Sequence, residues 1–470
     1  MKWFRIFKSS LLIICIQSCN AGNKGTATTA TDTISVGTVV ATDSFPSGKI
    51  ISGIICRADA DQSYALYIPV TNNHTALPAI YFFDPHADAA GVLNRYKGLA
   101  ERYGFVLLAS NNSKNGNDWP TEDRIWNSLY EDAQKRLPVS KDRIYVCGFS
   151  GGAKAATYFA LQHNYISAVI ACGAALPEMP QSGNFNFSFT AIAGEGDMNR
   201  SDLVAINNSL NNTAARHRII FFDGIHEWPG EHIMDIAFAG LQFDAMTKKI
   251  IPADSGLINN YISGSQKRIA GLLNTNKPER AEAECKISIN LLTGLTNLDW
   301  FTEKEKAITG SKAYQQQLAE SNKLQQREQE IKDGYQQQFQ RGDINYWVNT
   351  INDLMTRSKA TGAEAAMYQR LKAYLSLAFY SISNQTINNK QDETAAHFVS
   401  LYKLVDSNNS EAWYFSAILN ARKQNAALTK ADLLKAIGNG FNDKARLLQQ
   451  PDFQQPVLSA TVNEIAAKLK

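Results

Sequence analysis

The most constraining feature of this sequence is a Gly-x-Ser-x-Gly turn between a strand-like run and a helix-like run. Residues 143–147 are mostly β-branched or aromatic, residues 148–152 read Gly-Phe-Ser-Gly-Gly, and residues 153–157 are mostly small helix formers. Glycines on both sides of a serine permit a sharp turn that lifts the hydroxyl above the edge of a sheet. The alternative is an ordinary strand-to-helix turn with serine as the helix N-cap. The context favours a nucleophile elbow with Ser150 as the nucleophile.

Short apolar runs alternate with amphipathic, helix-like stretches over the first half of the chain. The first two runs have no helix between them, which predicts an antiparallel pair. The other alternations predict a doubly wound, mostly parallel sheet covered by helices on both faces. The predicted strands are residues 51–57, 64–69, 79–83, 106–109, 143–147, 168–172, 187–193 and 218–222.

After about residue 251 the strand-like runs almost vanish, and apolar residues recur at helical spacing. We therefore expect an α/β domain over residues 48–251 and an all-α domain over residues 252–470. From residue 395 onward the pattern resembles a degenerate tetratricopeptide array, in which helix pairs must stack to bury their apolar faces. Such helical repeats offer a surface for a protein partner. The glutamine-rich run 314–340 is either a long solvated helix or a coiled-coil arm, and its sparse apolar positions favour the former.

The beginning of the chain is typical of an export signal. A basic opening precedes an apolar run at residues 11–16, which is shorter than the roughly 20 residues that span a bilayer. Ile16-Gln17-Ser18-Cys19 resembles a bacterial lipobox, so we expect residues 1–18 to be removed and Cys19 to carry a lipid. A plain secretory signal is the alternative. Residues 19–47 are small and polar and predict a flexible tether. The expected location is the cell envelope, facing the periplasm, with the lipid as the only membrane contact.

Charge and cysteine usage exclude several classes of partner and site. The formal net charge of +3 equals the number of basic residues in the predicted signal peptide, so the mature chain is near neutral and no nucleic-acid partner is expected. No Cys-x-x-Cys spacing occurs, which argues against a zinc site. We expect buried free thiols, rather than a disulfide framework, at Cys56, Cys147, Cys172 and Cys285.

A serine hydroxyl is a weak nucleophile unless a histidine takes its proton and a carboxylate orients that histidine. In α/β enzymes with a nucleophile elbow, the chain order is serine, acid, histidine. Asp197 is the predicted acid, because it lies in a glycine-shaped turn directly after the strand 187–193. Glu195 in the same turn is the alternative. Asp223 is disfavoured because it shares a turn with the candidate histidine.

His226 is the predicted base, because it lies in a glycine-flanked loop directly after the last strand. The other histidines near the strands precede that strand or the acid. His226 and His232 resemble a zincin motif only loosely, because they are six residues apart and Pro229 interrupts any helix between them. No metal and no cofactor are therefore predicted.

Four segments together resemble the polyhydroxybutyrate-depolymerase and feruloyl-esterase branch of the α/β-hydrolases. They are Ser-Tyr-Ala-Leu-Tyr-Ile-Pro at 63–69, the elbow segment 142–152, Gly194-x-x-Asp197 and Gly224-x-His226-x-Trp228-Pro229. The resemblance covers about residues 50–250. It implies an α/β-hydrolase fold, a Ser150–His226–Asp197 triad and a small-molecule or glycan-linked ester substrate, without specifying which ester.

This family usually has His-Gly after the third strand, where this chain has Asp84-Pro85-His86. Position for position, the backbone N–H groups of His86 and Gly151 would form the oxyanion hole, since Pro85 has no N–H. Trp119 and Trp228 fall near the carboxyl ends of strands, where they would line a substrate pocket or be ordinary half-buried residues.

The leading hypothesis from the sequence is a cell-envelope serine hydrolase, most simply a carboxylesterase that forms an acyl-enzyme. A peptidase of the same fold is one alternative. A non-catalytic scaffold or binding lipoprotein that uses the helical repeats is the other.

Overall fold

The computed structural model describes residues 44–71, 76–174 and 185–469. The predicted signal peptide, the proposed lipidation site Cys19 and most of the predicted tether lie outside these residues. No helix in the described ranges is both long enough and apolar enough to cross a membrane.

An eight-stranded sheet forms the centre of the first half of the chain. Its strand order is β1-β2-β4-β3-β5-β6-β7-β8. β2 runs antiparallel to β1 and β4, and the other neighbours are parallel. This is the predicted α/β-hydrolase fold class. The strands are β1 Ile50–Cys56, β2 Asp59–Tyr67, β3 Leu77–Phe83, β4 Val106–Ser110, β5 Val139–Phe149, β6 Ile166–Cys172, β7 Ser188–Gly194 and β8 His217–Phe222.

Two strands begin four or five residues earlier than the apolar pattern predicts. β2 starts at Asp59, because its polar first half forms a hairpin with β1, where Asp59 faces Cys56. β5 starts at Val139, which pairs with Leu77. The polar residues that follow Val139 carry no apolar signal for a strand. In both cases backbone pairing extends the strand beyond the apolar run that predicted it.

Helices cover both faces of the sheet and enclose two apolar cores. On one face lie α1 Ala89–Tyr103 and α5 Glu231–Thr247. On the other lie α2 Trp119–Arg136, α3 Gly151–Gln162 and α4 Arg200–Ser209. The predicted free thiols are confirmed, since all four cysteines named above are buried and unpaired. Burial raises the pKa of the Cys147 thiol well above its ordinary value.

The core on the α1 and α5 face continues into the helices that follow. These are α6 Ser255–Asn274, α7 Pro278–Leu292 and α8 Asp299–Thr309. Cys285 and Leu291 of α7 belong to the same apolar cluster as Ile220 and Phe238. The core therefore does not divide at residue 251, and the domain boundary there stays a prediction.

A separate apolar core is formed by the last eight helices. Its centre includes Trp347, Phe379 and Leu401. The glutamine-rich run 314–340 lies within one long helix, which begins where Gly310 ends α8 and the Ser311 hydroxyl caps the next helix. Most of these helices pack against the next helix along the chain or the one after it, and the tetratricopeptide likeness stays a prediction. The helices are α9 Lys312–Arg341, α10 Ile344–Arg357, α11 Ala363–Asn388, α12 Asp392–Val405, α13 Ser410–Arg422, α14 Ala426–Gly438, α15 Lys444–Gln449 and α16 Ser459–Ala466.

Candidate active site

Ser150 lies at the tip of the turn between β5 and α3, in a strained backbone conformation. Its φ of 54° and ψ of −120° are rare for a residue with a side chain, and such conformations cost about 1–3 kcal/mol. The flanking glycines make the turn sterically feasible. A Cβ at Gly148 would lie 2.1 Å from the carbonyl oxygen of Gly152, and a Cβ at Gly152 would lie 2.0 Å from that of Phe83. This is the local geometry of a nucleophile elbow.

In the structure, Ser150, His226 and Asp197 form a continuous chain of hydrogen bonds. His226 Nε2 is 2.9 Å from Ser150 Oγ, and His226 Nδ1 is 3.0 Å from Asp197 Oδ1. The Asp197 side chain is only 1 % exposed, whereas that of His226 is 19 % exposed. With its proton on Nδ1, the imidazole donates to Asp197 and accepts from the serine hydroxyl. This arrangement is suited to removing the serine proton.

Asn199 and Gly173, which were not among the predicted site residues, hold this chain of hydrogen bonds in place. The backbone N–H of Asn199 donates to Asp197 Oδ1 at 2.9 Å, and its side-chain amide donates to the carbonyl oxygen of Gly173 at 2.8 Å. Gly173 follows β6 with a φ of 69°, and a Cβ there would lie 3.1 Å from both His226 Cε1 and Asp197 Oδ2. The sequence signal for Gly173 was its position directly after a predicted strand.

The other two carboxylates considered for the acid have different partners. Glu195 pairs with Arg200 at 2.9 Å. Asp223 pairs with Lys277 and Arg280, each at 2.7 Å. Partial burial acts to raise the pKa of Asp223, but the two cations outweigh it and hold that pKa below its ordinary value. Asp197 is thus the carboxylate among the three that contacts His226.

The oxyanion side of the site differs from the sequence prediction. Gly151 is the first residue of α3, so its N–H has no carbonyl partner within the helix. The N–H of His86, however, donates to Asp84 Oδ1 at 2.8 Å. This is an Asx turn, in which a short carboxylate accepts from the backbone two residues later. His86 is therefore not a free oxyanion donor, which corrects the prediction for that residue.

The side chain of Asn115 lies directly beside Gly151. Asn115 Oδ1 is 1.8 Å from the position that a Cβ at residue 151 would occupy. The backbone N–H of Asn115 donates to the carbonyl oxygen of Pro85 at 2.9 Å, which ties its loop to the segment after β3. The exposed carboxamide of Asn115 therefore lies beside the start of α3. No sequence motif marks this lone loop residue.

The two tryptophans predicted to line a pocket lie in different surroundings. Trp228 is half-buried, donates its indole N–H to Asp84 Oδ2 at 2.8 Å and packs 5.5 Å from Phe149 between ring centres. Phe149 in turn lies 4.7 Å from the His226 ring. Trp119 is 43 % exposed and stacks on Tyr158. Trp228 thus packs on the Phe149 ring, which contacts His226, and the pocket roles of both tryptophans stay predictions.

Neither a protein-family model nor a curated protein matches this sequence. Solved structures similar to it include an esterase from Pyrobaculum calidifontis, at 13 % identity, a TM-score of 0.34, and coverage of 44 % of this chain and 87 % of that one. A ferulic acid esterase is 15 % identical, with a TM-score of 0.33 and coverage of 42 % and 97 %. An acylaminoacyl peptidase from Pyrococcus horikoshii is 11 % identical, with a TM-score of 0.30 and coverage of 43 % and 41 %. Identities of this size carry no information about the substrate.

Proposed function

We propose that this protein is a serine hydrolase that cleaves carboxylic esters. The observation that carries the proposal is the continuous chain of hydrogen bonds from Ser150 Oγ through His226 to the buried Asp197 carboxylate. A strained serine on an elbow, a partly exposed imidazole and a buried carboxylate are the groups that acyl transfer needs.

The reaction begins when Ser150 Oγ attacks the ester carbonyl carbon while His226 Nε2 takes the serine proton. Asp197 stabilises the imidazolium that forms. The bond from the acyl carbon to the leaving oxygen then breaks, and His226 gives its proton to the departing alcohol. Water repeats the sequence on the acyl-enzyme and releases the acid. Gly151 N–H is one oxyanion donor, and the Nδ2 amide group of Asn115, 3.7 Å from the position of a Cβ at Gly151, is the proposed second donor in place of His86.

The location of the enzyme is part of the same proposal. The lipobox-like sequence ending at Cys19 supports a lipid anchor, with the hydrolase at the cell envelope and facing the periplasm. The substrate class is a small-molecule or glycan-linked ester.

The test compares wild-type protein with Ser150→Ala in labelling by a fluorophosphonate probe and in turnover of p-nitrophenyl acetate and butyrate. We expect labelling and turnover by wild type and neither by S150A. Ser167→Ala is the matched control, because Ser167 lies near the start of β6, at the opposite end of the parallel strands, and donates to the carbonyl oxygen of Asp142. Absence of labelling in wild type, or labelling of S150A, would contradict the proposal. Preferential cleavage of peptide substrates would favour the peptidase alternative.

A further inference from the structure

The helical half of the chain contacts the turn that carries Asp197. We call residues 194–197 the acid turn. Arg370 on α11 donates from Nη1 to the carbonyl oxygen of Glu195 at 2.5 Å. The neighbouring Gln369 packs against Gly196, with its Oε1 2.4 Å from the position of a Cβ there. Both contacts are made to residues directly before Asp197 in sequence.

Arg370 is itself fixed by a buried ion pair. Its Nε and Nη2 atoms donate to Glu328 Oε2 on α9 at 2.8 and 2.6 Å, and the other carboxylate oxygen pairs with Lys332 at 2.7 Å. The side chains of Arg370 and Glu328 are both buried. The planar guanidinium can therefore serve a carboxylate and a carbonyl oxygen at once, which a single ammonium group cannot match in geometry.

The opposite side of the acid turn is held by the loop that carries His226. Glu195 N–H donates to the carbonyl oxygen of Phe222 at 2.9 Å, and Gly196 N–H donates to that of Gly224 at 2.8 Å. The acid turn thus lies between the His226 loop and α11. A displacement of the turn on the α11 side would change the distance between Asp197 and His226.

We propose that Arg370 is a positioning residue that holds the acid turn, so that Asp197 stays within hydrogen-bond distance of His226. The helical half of the chain then supports catalysis through the acid turn, in addition to any partner that it binds. This inference rests on the proposed function of Ser150, His226 and Asp197.

The experiment uses the full chain with Arg370→Lys, Arg370→Gln and a control, Arg327→Gln. Arg327 also joins α9 to α11, through hydrogen bonds to Glu364 and Tyr368 at 2.8 Å each. R370K keeps a positive charge beside Glu328 but loses the guanidinium N–H that donates to the carbonyl oxygen of Glu195. Sites that react with the fluorophosphonate probe are counted first, so that kcat refers to folded enzyme only, and thermal unfolding midpoints are recorded in parallel.

We expect kcat per reactive site to fall about 10-fold in R370K and R370Q while KM stays unchanged, because small displacements of a catalytic group mainly weaken the transition state. The rate constant of probe labelling should fall by the same factor, and R327Q should match wild type. Unchanged kcat per site in both Arg370 variants, or an equal loss in R327Q, would overturn the inference. Failure of the proposed function would look different, because wild type itself would then be inactive and unlabelled.

Discussion

Replacing Asp197 by asparagine separates the charge of the proposed acid from its hydrogen-bond geometry. Asp197 Oδ1 accepts from both His226 Nδ1 and the backbone N–H of Asn199. An asparagine in the same rotamer keeps both bonds through its own Oδ1 and places its amide nitrogen where Oδ2 lies, beside Gly173. Aspartate and asparagine have nearly the same shape, so the main change is the loss of one buried negative charge.

The size of the effect follows from the distance between the two charges. With 3.0 Å between His226 Nδ1 and Asp197 Oδ1, the charge centres of imidazolium and carboxylate are about 4 Å apart. At that separation and an effective dielectric constant of about 20, their attraction is worth about 4 kcal/mol. The imidazolium exists only after proton transfer from Ser150, so this loss falls on the transition state. Since each 1.36 kcal/mol is a factor of ten in rate, we expect kcat to fall about 1,000-fold.

The assay is turnover of p-nitrophenyl butyrate per folded molecule, with folding followed by circular dichroism. Glu195→Gln is the matched control, because it makes the same chemical change two residues away in the acid turn. We expect E195Q to keep most of its activity. A D197N variant within 10-fold of wild type, or an equal loss in E195Q, would refute the reasoning that the negative charge of Asp197 stabilises the His226 imidazolium.

Two further substitutions test the remaining parts of the structure. Asn115→Ala should lower kcat by about 100-fold or more with little change in KM, as loss of one oxyanion donor does elsewhere, and steady-state kinetics showing less than a 3-fold change would exclude this role. Asp244→Asn should lower the free energy of unfolding at pH 7 by about 3–5 kcal/mol in urea titrations, because it leaves Arg216 and Arg218 without their buried carboxylate. Burial acts to raise the pKa of Asp244, but the two arginines outweigh it and hold it below its ordinary 3.8. The stabilisation by this carboxylate is therefore fully present above pH 3.8 and is lost as the pH falls through the folded-state pKa. The difference in free energy of unfolding between D244N and wild type should become smaller there. A difference in free energy of unfolding that stays constant with pH would contradict the assignment of this stabilisation to the Asp244 carboxylate.

The sheet and the elbow were predictable because their signals are local. A run of β-branched residues followed by Gly-x-Ser-x-Gly fixes both the strand and the strained turn, since only glycine permits the close approaches at positions 148 and 152. The order of Ser150, Asp197 and His226, each after a strand, follows from the parallel topology, because the carboxyl ends of parallel strands share one edge of the sheet.

The groups around the site depend on contacts between residues far apart in sequence. Asn115 is 36 residues from Gly151, and Arg370 is 175 residues from Glu195. Neither position carries a motif, because an asparagine in a loop and an arginine on a helix are common on any protein surface. The engagement of His86 N–H by Asp84 is local, but it became visible only with the side-chain rotamer of Asp84.

The sequence by itself thus determined the α/β class, the positions of most strands and the residues from which a triad could form, because hydrophobic periodicity and glycine content act over a few residues. Only the tertiary structure decided which carboxylate contacts His226, which polar group lies beside Gly151, and that the sheet's core continues beyond residue 251. It also joined the helical half to the acid turn through Arg370. These outcomes depend on the packing of distant segments, where differences of an ångström decide whether a hydrogen bond forms.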